Sequence, residues 1–136
     1  MPIITLTSDW GTRDHYLASV KGVILRQIPE ARIVDISHHI TPHNLTEAAF
    51  IIRNCYRDFP AGTVHIIGVS TIESEQTPHT VIFADGQYFI GADNGIFSLI
   101  FDKKPDKIIE IDLPQDSEYF TFSSRDRFVK TAAKII

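Results

Sequence analysis

The chain has 136 residues, 43% of them hydrophobic and 22% charged, a size and mix suited to one domain with a real core. It carries a formal net charge of −4, no basic run and a single cysteine, Cys55, so a nucleic-acid backbone, an internal disulfide and a thiolate zinc centre all lack their residues. No stretch of about 18 apolar residues and no basic-then-apolar leader is present. The expected setting is therefore cytoplasmic, without membrane or nucleic-acid partners, and with a small-molecule or protein ligand.

In chain order, Pro2 to Thr7 reads as a buried strand, followed by a polar, glycine-containing turn from Ser8 to Asp14. Leu17, Val20, Ile24 and Ile28 recur at steps of three and four, predicting a helix that Pro29 stops. Ala31 to Ile36 is the second strand. Asn44 through Glu47 has the form of a capping box, in which Asn44 accepts a helix N–H and Glu47 reaches back to the cap. The helix it opens buries Leu45, Ala48, Ala49, Ile52 and Tyr56, and Cys55 reads as a buried helix residue.

Phe59-Pro60-Ala61-Gly62 is a turn, and Thr63 to Val69 has the unbroken apolar character of a strand inside a covered parallel sheet. Ser70 to Pro78 lacks periodicity and reads as a loop. Thr80 to Ala84 and Gln87 to Ile90 form a hairpin, because Asp85-Gly86 supplies the positive φ angles of a tight primed turn. Asp93-Asn94-Gly95 opens a short helix, Ile96 to Phe101, and Lys107 to Ile111 is a further strand. Ser123, with Asp126 three positions on, reads as the cap of a last helix with Phe128, Val129, Ala132 and Ala133 on its apolar side. The pattern predicts an α/β fold, a mostly parallel central sheet with helices on both faces in three layers, as one domain over 1–136.

In such a sheet ligands bind beyond the carboxyl ends of the strands. The loops at Ser8 to Asp14, Ser37 to His43 and Ser70 to Pro78 are expected to converge there, with the turns at Asp93 and Ser123. Asp9 is the leading ligand candidate: it follows a buried strand, precedes Gly11, and its carboxylate is able to accept two ribose hydroxyls. The competing role is to cap the first helix or fix its own turn. His38, His39 and His43 near Asp35 resemble a metal cluster, but adjacent residues of an extended segment face opposite ways and no helical i, i+4 histidine pair exists, so no metal is expected. No Gly-x-Ser-x-Gly elbow, Walker loop or Gly-x-Gly-x-x-Gly is present, so the standard hydrolase, kinase and dinucleotide readings have no anchor.

Thr7-Ser8-Asp9-Trp10-Gly11-Thr12, Lys21-Gly22-Val23-Ile24, Val34-Asp35-Ile36-Ser37-His38, Ile40-Thr41-Pro42, Glu47-Ala48-Ala49, Phe59-Pro60-Ala61-Gly62-Thr63, Asp93-Asn94-Gly95 and Ser124-Arg125-Asp126 stand in one order and spacing. In that order the chain resembles the N-terminal domain of the S-adenosylmethionine hydroxide adenosyltransferases, whose relatives are fluorinase and chlorinase. The resemblance covers essentially the whole chain. It implies a homotrimer, an active site between this domain and a C-terminal β-barrel of the neighbouring subunit, and attack by water-derived hydroxide or halide on C5′ of the ribose with methionine leaving. The resemblance extends only to the first of these domains, so that barrel is expected to lie outside this chain. The bare Ile135-Ile136 end fits the expectation that further structure follows in the parent sequence or that a partner buries it.

The resemblance places Asp9, Trp10, His43, Ser70, Phe122 and Ser124 around the nucleoside, with Asp9 holding the ribose hydroxyls and S-adenosylmethionine as substrate or ligand rather than cofactor. His43 stands where the halogenases place a tryptophan. The hydroxide-using members order water with an Asp, an Arg and a His, and those positions here are Ser70, Thr77 and Ser123. Ser124 matches the halogenase serine that donates to halide. Glu73, however, occupies the place of a halide-pocket threonine, where its charge repels an anion. Glu73, Glu75 and His79 are replacement candidates for a base toward water. Three readings follow: a cleaving enzyme with an altered water-activating set, a nucleoside-binding protein without turnover, and a structural trimer domain.

Overall fold

The computed structural model describes residues 2–112 and 124–136. Its elements are β1 (Ile3–Ser8), α1 (Tyr16–Gln27), β2 (Arg32–Ser37), α2 (Leu45–Arg53), β3 (Val64–Gly68), β4 (His79–Ala84), β5 (Gln87–Ala92), α3 (Ile96–Ile100), β6 (Lys107–Glu110) and α4 (Val129–Ile135). The strands form one sheet in the order β2-β1-β3-β5-β4-β6. β2, β1, β3 and β5 run parallel, and β4 and β6 add an antiparallel end. The sheet is thus mixed, with its parallel half leading.

Because side chains alternate across a strand, each inner strand feeds two cores. Ile4 and Leu6 of β1 with Val64 and Ile66 of β3 meet Val20 and Ile24 of α1 and Val129 and Ala132 of α4. On the other face, Ile67, Ile82 and Phe89 meet Ala48, Ala49 and Ile52 of α2 and Ile96, Phe97 and Ile100 of α3. This is the three-layer α/β arrangement, with β3 wholly buried at its centre. Truncating Ile66 there is of the kind that costs about 2–5 kcal/mol.

Several local expectations are met. Asp85 and Gly86 take φ of 53° and 75° in the two-residue hairpin turn. Thr63 N–H closes the Pro60 turn at 3.2 Å. Asn44 caps α2 by accepting from Glu47 N at 3.0 Å. The reciprocal half of that box differs: Glu47 Oε2 accepts from Thr41 N, not from the cap residue. Strands β1 and β2 lie one residue later than the pattern predicts. Cys55 is half-buried in the turn that follows α2, because that helix ends at Arg53 and the chain tightens into a 3-10 turn at Tyr56–Asp58. Tyr56 is buried all the same. Before α4 the chain forms a π turn, Ser124–Phe128, where the sequence predicts an ordinary cap at Ser123, a residue outside those described. Among the described residues no helix is long and apolar enough to cross a membrane.

Candidate functional site

β1 ends at buried Ser8, and the next three residues turn away over the carboxyl end of the sheet. Gly11 makes this turn possible: its φ is 74°, and its N–H donates to the His38 carbonyl at 2.6 Å, tying the end of β1 to the end of β2. Asp14, not Asp9, serves the start of α1, its Oδ1 accepting from Tyr16 N at 2.9 Å. Asp9 instead reaches across to another loop. Its Oδ2 accepts the His43 N–H at 3.0 Å, and its Oδ1 has no hydrogen-bond partner among the described residues.

The loop from β2 and the loop from β3 meet at the same place. His43 Nδ1 and Ser70 Oγ lie 2.6 Å apart, and both residues hold left-handed backbone, with φ of 61° and 51°. Non-glycine residues in that region carry strain of order 1 kcal/mol or more, sustained by surrounding bonds. Here the bonds are visible: Asn94 Nδ2, from the turn before α3, donates to the Ser70 carbonyl at 2.8 Å and the Val69 carbonyl at 3.3 Å. Asp9, His43 and Ser70 are therefore brought together. Trp10 stands beside them, its indole 4.7 Å from the Tyr16 ring and stacked 5.7 Å from His38.

The rest of the β3 loop folds on itself. Thr77 Oγ1 donates to the Ile72 carbonyl at 3.1 Å and lies 2.8 Å from Ser74 Oγ. Glu73 reaches a different neighbour, pairing with Arg127 of the π turn at 2.7 Å, and Arg127 in turn donates to His79 Nδ1 at 3.0 Å. His79, fully buried, donates from Nε2 to the Thr71 carbonyl at 2.5 Å, so both ring nitrogens are engaged and the ring is the neutral Nε2–H tautomer. Burial lowers its pKa, against the raising pull of Thr71 and Glu73. For Glu73, burial pushes upward, but the hydrogen bond and charge of Arg127, joined by the His79 backbone N–H, outweigh it, leaving a net lowering. The cluster joins a carboxylate, a guanidinium and an imidazole, tied to the β3 loop through the Thr71 carbonyl.

Of the residues expected around the nucleoside, Asp9, Trp10, His43 and Ser70 gather at one strand-end site. Phe122 and Ser123 lie outside the described residues, and Ser124 contributes its backbone to the start of the π turn. His38 is buried between Ser8 and Asp35, bonded to Ser8 Oγ at 2.5 Å and to Asp35 Oδ1 at 2.8 Å. Among the described residues no three His, Cys, Asp or Glu side chains are grouped to hold a metal ion. Nothing in the sequence marks Arg127 beyond its being a charged residue set directly before the apolar Phe128-Val129 pair.

The description "SAM hydroxide adenosyltransferase N-terminal domain" belongs to a family model that matches residues 4–136. An (R)-S-adenosyl-L-methionine hydrolase of Methanocaldococcus jannaschii is 34% identical over 142 residues, spanning 100% of this chain and 54% of that protein. A fluorinase of an Actinoplanes species is 44% identical over 63 residues, 46% of this chain and 21% of its own length. Among solved structures, an uncharacterized conserved protein from Thermotoga maritima aligns with a TM-score of 0.86 at 31% identity, over 98% of this chain and 52% of the other. The chain spans about half the length of the curated relatives it matches.

Proposed function

The chain belongs to the S-adenosylmethionine hydroxide adenosyltransferase family, and from that premise we propose that it supplies the ribose-holding and water-handling half of a site that cleaves S-adenosylmethionine into adenosine and methionine. The observation that carries this reading is Asp9. Its one oxygen is fixed by the His43 N–H while the other, unpartnered among the described residues, is left for ligand hydroxyls at the meeting point of three loops. A carboxylate so held is preorganised to accept from the ribose 2′- and 3′-hydroxyls.

The chemistry is undemanding of acid. A water oxygen forms a bond to C5′, the C5′–S bond breaks with its electron pair going to sulfur, methionine leaves as a neutral thioether, and one proton of the water is lost. What remains to be supplied is orientation and a proton acceptor. We assign that part to Glu73, held by Arg127, because its side chain is one-third exposed while His79 has no ring nitrogen to spare. Ser70, Thr77 and Ser123, which replace the usual Asp, Arg and His, take no proton in this scheme. A homotrimer, with the nucleoside bound between subunits, completes the proposal.

A second reading has its own support: the ion pair of Glu73 with Arg127 also suits a purely structural clamp, and the protein then binds nucleoside without turnover. Chromatographic detection of adenosine and methionine, together with calorimetric titration of S-adenosylmethionine and adenosine, separates the two. Asp9→Ala is expected to weaken adenosine binding about 10-fold or more, the worth of a charge-assisted hydrogen bond. Glu73→Gln is expected to lower kcat about 10- to 100-fold at near-constant KM. Binding without adenosine release would replace the enzyme by the binding protein. Binding that ignores Asp9→Ala would end the ribose assignment. A light-scattering mass of one chain would contradict the trimer.

A further inference from the structure

One hydrogen-bonded chain runs from the surface of α1 to the turn that carries Asp9 and has no part in the reaction described above. Lys21 Nζ donates to Asp35 Oδ2 at 2.6 Å, and Asp35 Oδ1 accepts from His38 Nε2 at 2.8 Å. On its other side His38 Nδ1 meets Ser8 Oγ at 2.5 Å, and Ser8 Oγ accepts the Trp10 N–H at 3.4 Å. Ser8 is fully buried and His38 is 3% exposed, whereas Lys21 and Asp35 are more than one-third exposed. The Ser8 hydroxyl has no access to a substrate, so a nucleophilic role is excluded despite the Ser-His-Asp order.

The geometry points to a positioning role: we propose that Ser8, His38, Asp35 and Lys21 act through the 8–11 turn to hold the Asp9 carboxylate in its ribose-binding direction. His38 grips that turn in three ways. A ring nitrogen bonds Ser8 at its start, the ring face stacks on Trp10 with 19° between planes, and the His38 carbonyl accepts from Gly11 N at its end. Asp9 is thus flanked by anchored residues on either side. The donor order is consistent throughout. The Asp35 carboxylate, neutralised by Lys21, fixes Nε2 as the protonated nitrogen, which makes Nδ1 the acceptor for the Ser8 hydroxyl and leaves a Ser8 lone pair for Trp10. Lys21 and Asp35 set the tautomer, the tautomer orients Ser8, and Ser8 holds the turn.

This proposal rests on the ribose reading of Asp9, and its test keeps the two apart. Adenosine affinity is measured by calorimetry for the wild type, Ser8→Ala, Asp35→Asn, Asp9→Ala and the Ser8→Ala/Asp9→Ala pair, with urea midpoints to confirm folding. Ser8→Ala is expected to weaken adenosine about 5- to 10-fold alone and to add nothing once Asp9 is Ala, the non-additivity of residues acting as a unit. Ser8→Thr, which keeps the hydroxyl, is expected to restore most of the affinity. Losses that simply multiply in the double variant, or a wild-type affinity in Ser8→Ala, would overturn the positioning role. Should Asp9→Ala itself leave affinity unchanged, the ribose reading fails, and the network is still judged by Trp10, the single tryptophan of the chain. Its emission without ligand is expected to shift in Ser8→Ala and Asp35→Asn and not in Asp9→Ala. An unmoved emission in both network variants would refute the anchoring of the turn. If Ser8→Ala does not fold, Asp35→Asn, at the exposed end, carries the same comparison.

Discussion

Two histidines in this molecule sit in the same chemical setting, each between a hydroxyl and a side-chain oxygen, and they serve different ends. His65 on β3 meets Thr5 Oγ1 at 2.6 Å and Gln87 Oε1 at 2.5 Å, and Gln87 Nε2 passes the chain on to the Tyr56 and Phe59 carbonyls. It is buried against Tyr56 and Phe59 of the segment after α2, stacked on Phe89 at 4.7 Å, and its network ends on neutral amides. His38, just past the end of β2, has the same pattern of bonds but ends on a partly exposed carboxylate and ammonium and grips the turn that carries Asp9. A polar chain that closes inside the core fixes strand partners to one another. One that opens at the strand ends fixes a loop, and loops are where this fold keeps its chemistry.

The sharpest way to break that contrast is His65→Ala. It leaves the Thr5 hydroxyl and Gln87 oxygen unpaired in a dry layer and opens a void beside Phe89 and Tyr56, so urea unfolding is expected to show a loss of about 3–5 kcal/mol. Adenosine binding by whatever fraction stays folded is expected to be unaffected. A weakened affinity in the folded fraction would mean that both networks serve the site.

Acid extends the test. Burial, only partly offset by the Gln87 hydrogen bond, lowers the His65 pKa from 6.5 to about 4. Between those values the unfolded chain binds the proton that the folded chain refuses. Stability is therefore full above pH 6.5 and falls as pH drops toward 4, by about 3 kcal/mol from His65. His79, also lowered chiefly by burial, acts in the same direction. Asp35 works in another window: burial raises it, but the hydrogen bonds from Lys21 and His38 and the Lys21 charge prevail and lower it, so its contribution is kept above the usual carboxylate value and lost only as pH falls below it. Urea midpoints from pH 7 to 4 are expected to fall in the wild type and to fall less in His65→Ala. Parallel curves would remove His65 as the acid-sensitive group.

What the sequence made legible follows the reach of each interaction. The α1 stripe of Val20 and Ile24, the Asn44 cap and the Asp85-Gly86 turn involve residues within one or two turns of each other, and local spacing is enough to see them. Asp9 stood out because a buried strand and a glycine bracket it, yet its partner His43 is 34 positions away and only the meeting of loops places it. The sequence argues against a shared metal at His38 and His39, because adjacent residues of an extended segment face opposite ways, and it carries no signal for a bond between Asp35 and His38. The chain, however, leaves the sheet after Ser37, which lets side chains three apart converge. Pairing Glu73 and His79 with Arg127 required knowing where the last helix docks. The hairpin makes β4 and β5 neighbours, but that β5 and not β4 pairs with β3 rests on long-range contacts and has no local signature.

The smallest expected effect is the most discriminating about the surface end of the site network. Lys21 and Asp35 are 34% and 39% exposed, and pairs so wetted contribute under about 1 kcal/mol. In Asp35→Asn the amide oxygen still accepts from His38 Nε2, so the fold loses only the ion pair, and the urea midpoint at pH 7 is expected to move by less than about 1 kcal/mol. The consequence for His38 is larger than for the fold, since an amide able to flip its NH₂ toward the ring no longer dictates which nitrogen carries the proton. A stability loss matching that of His65→Ala would place Asp35 among the core supports. A near-silent unfolding curve beside a shifted Trp10 emission would separate holding the turn from holding the fold.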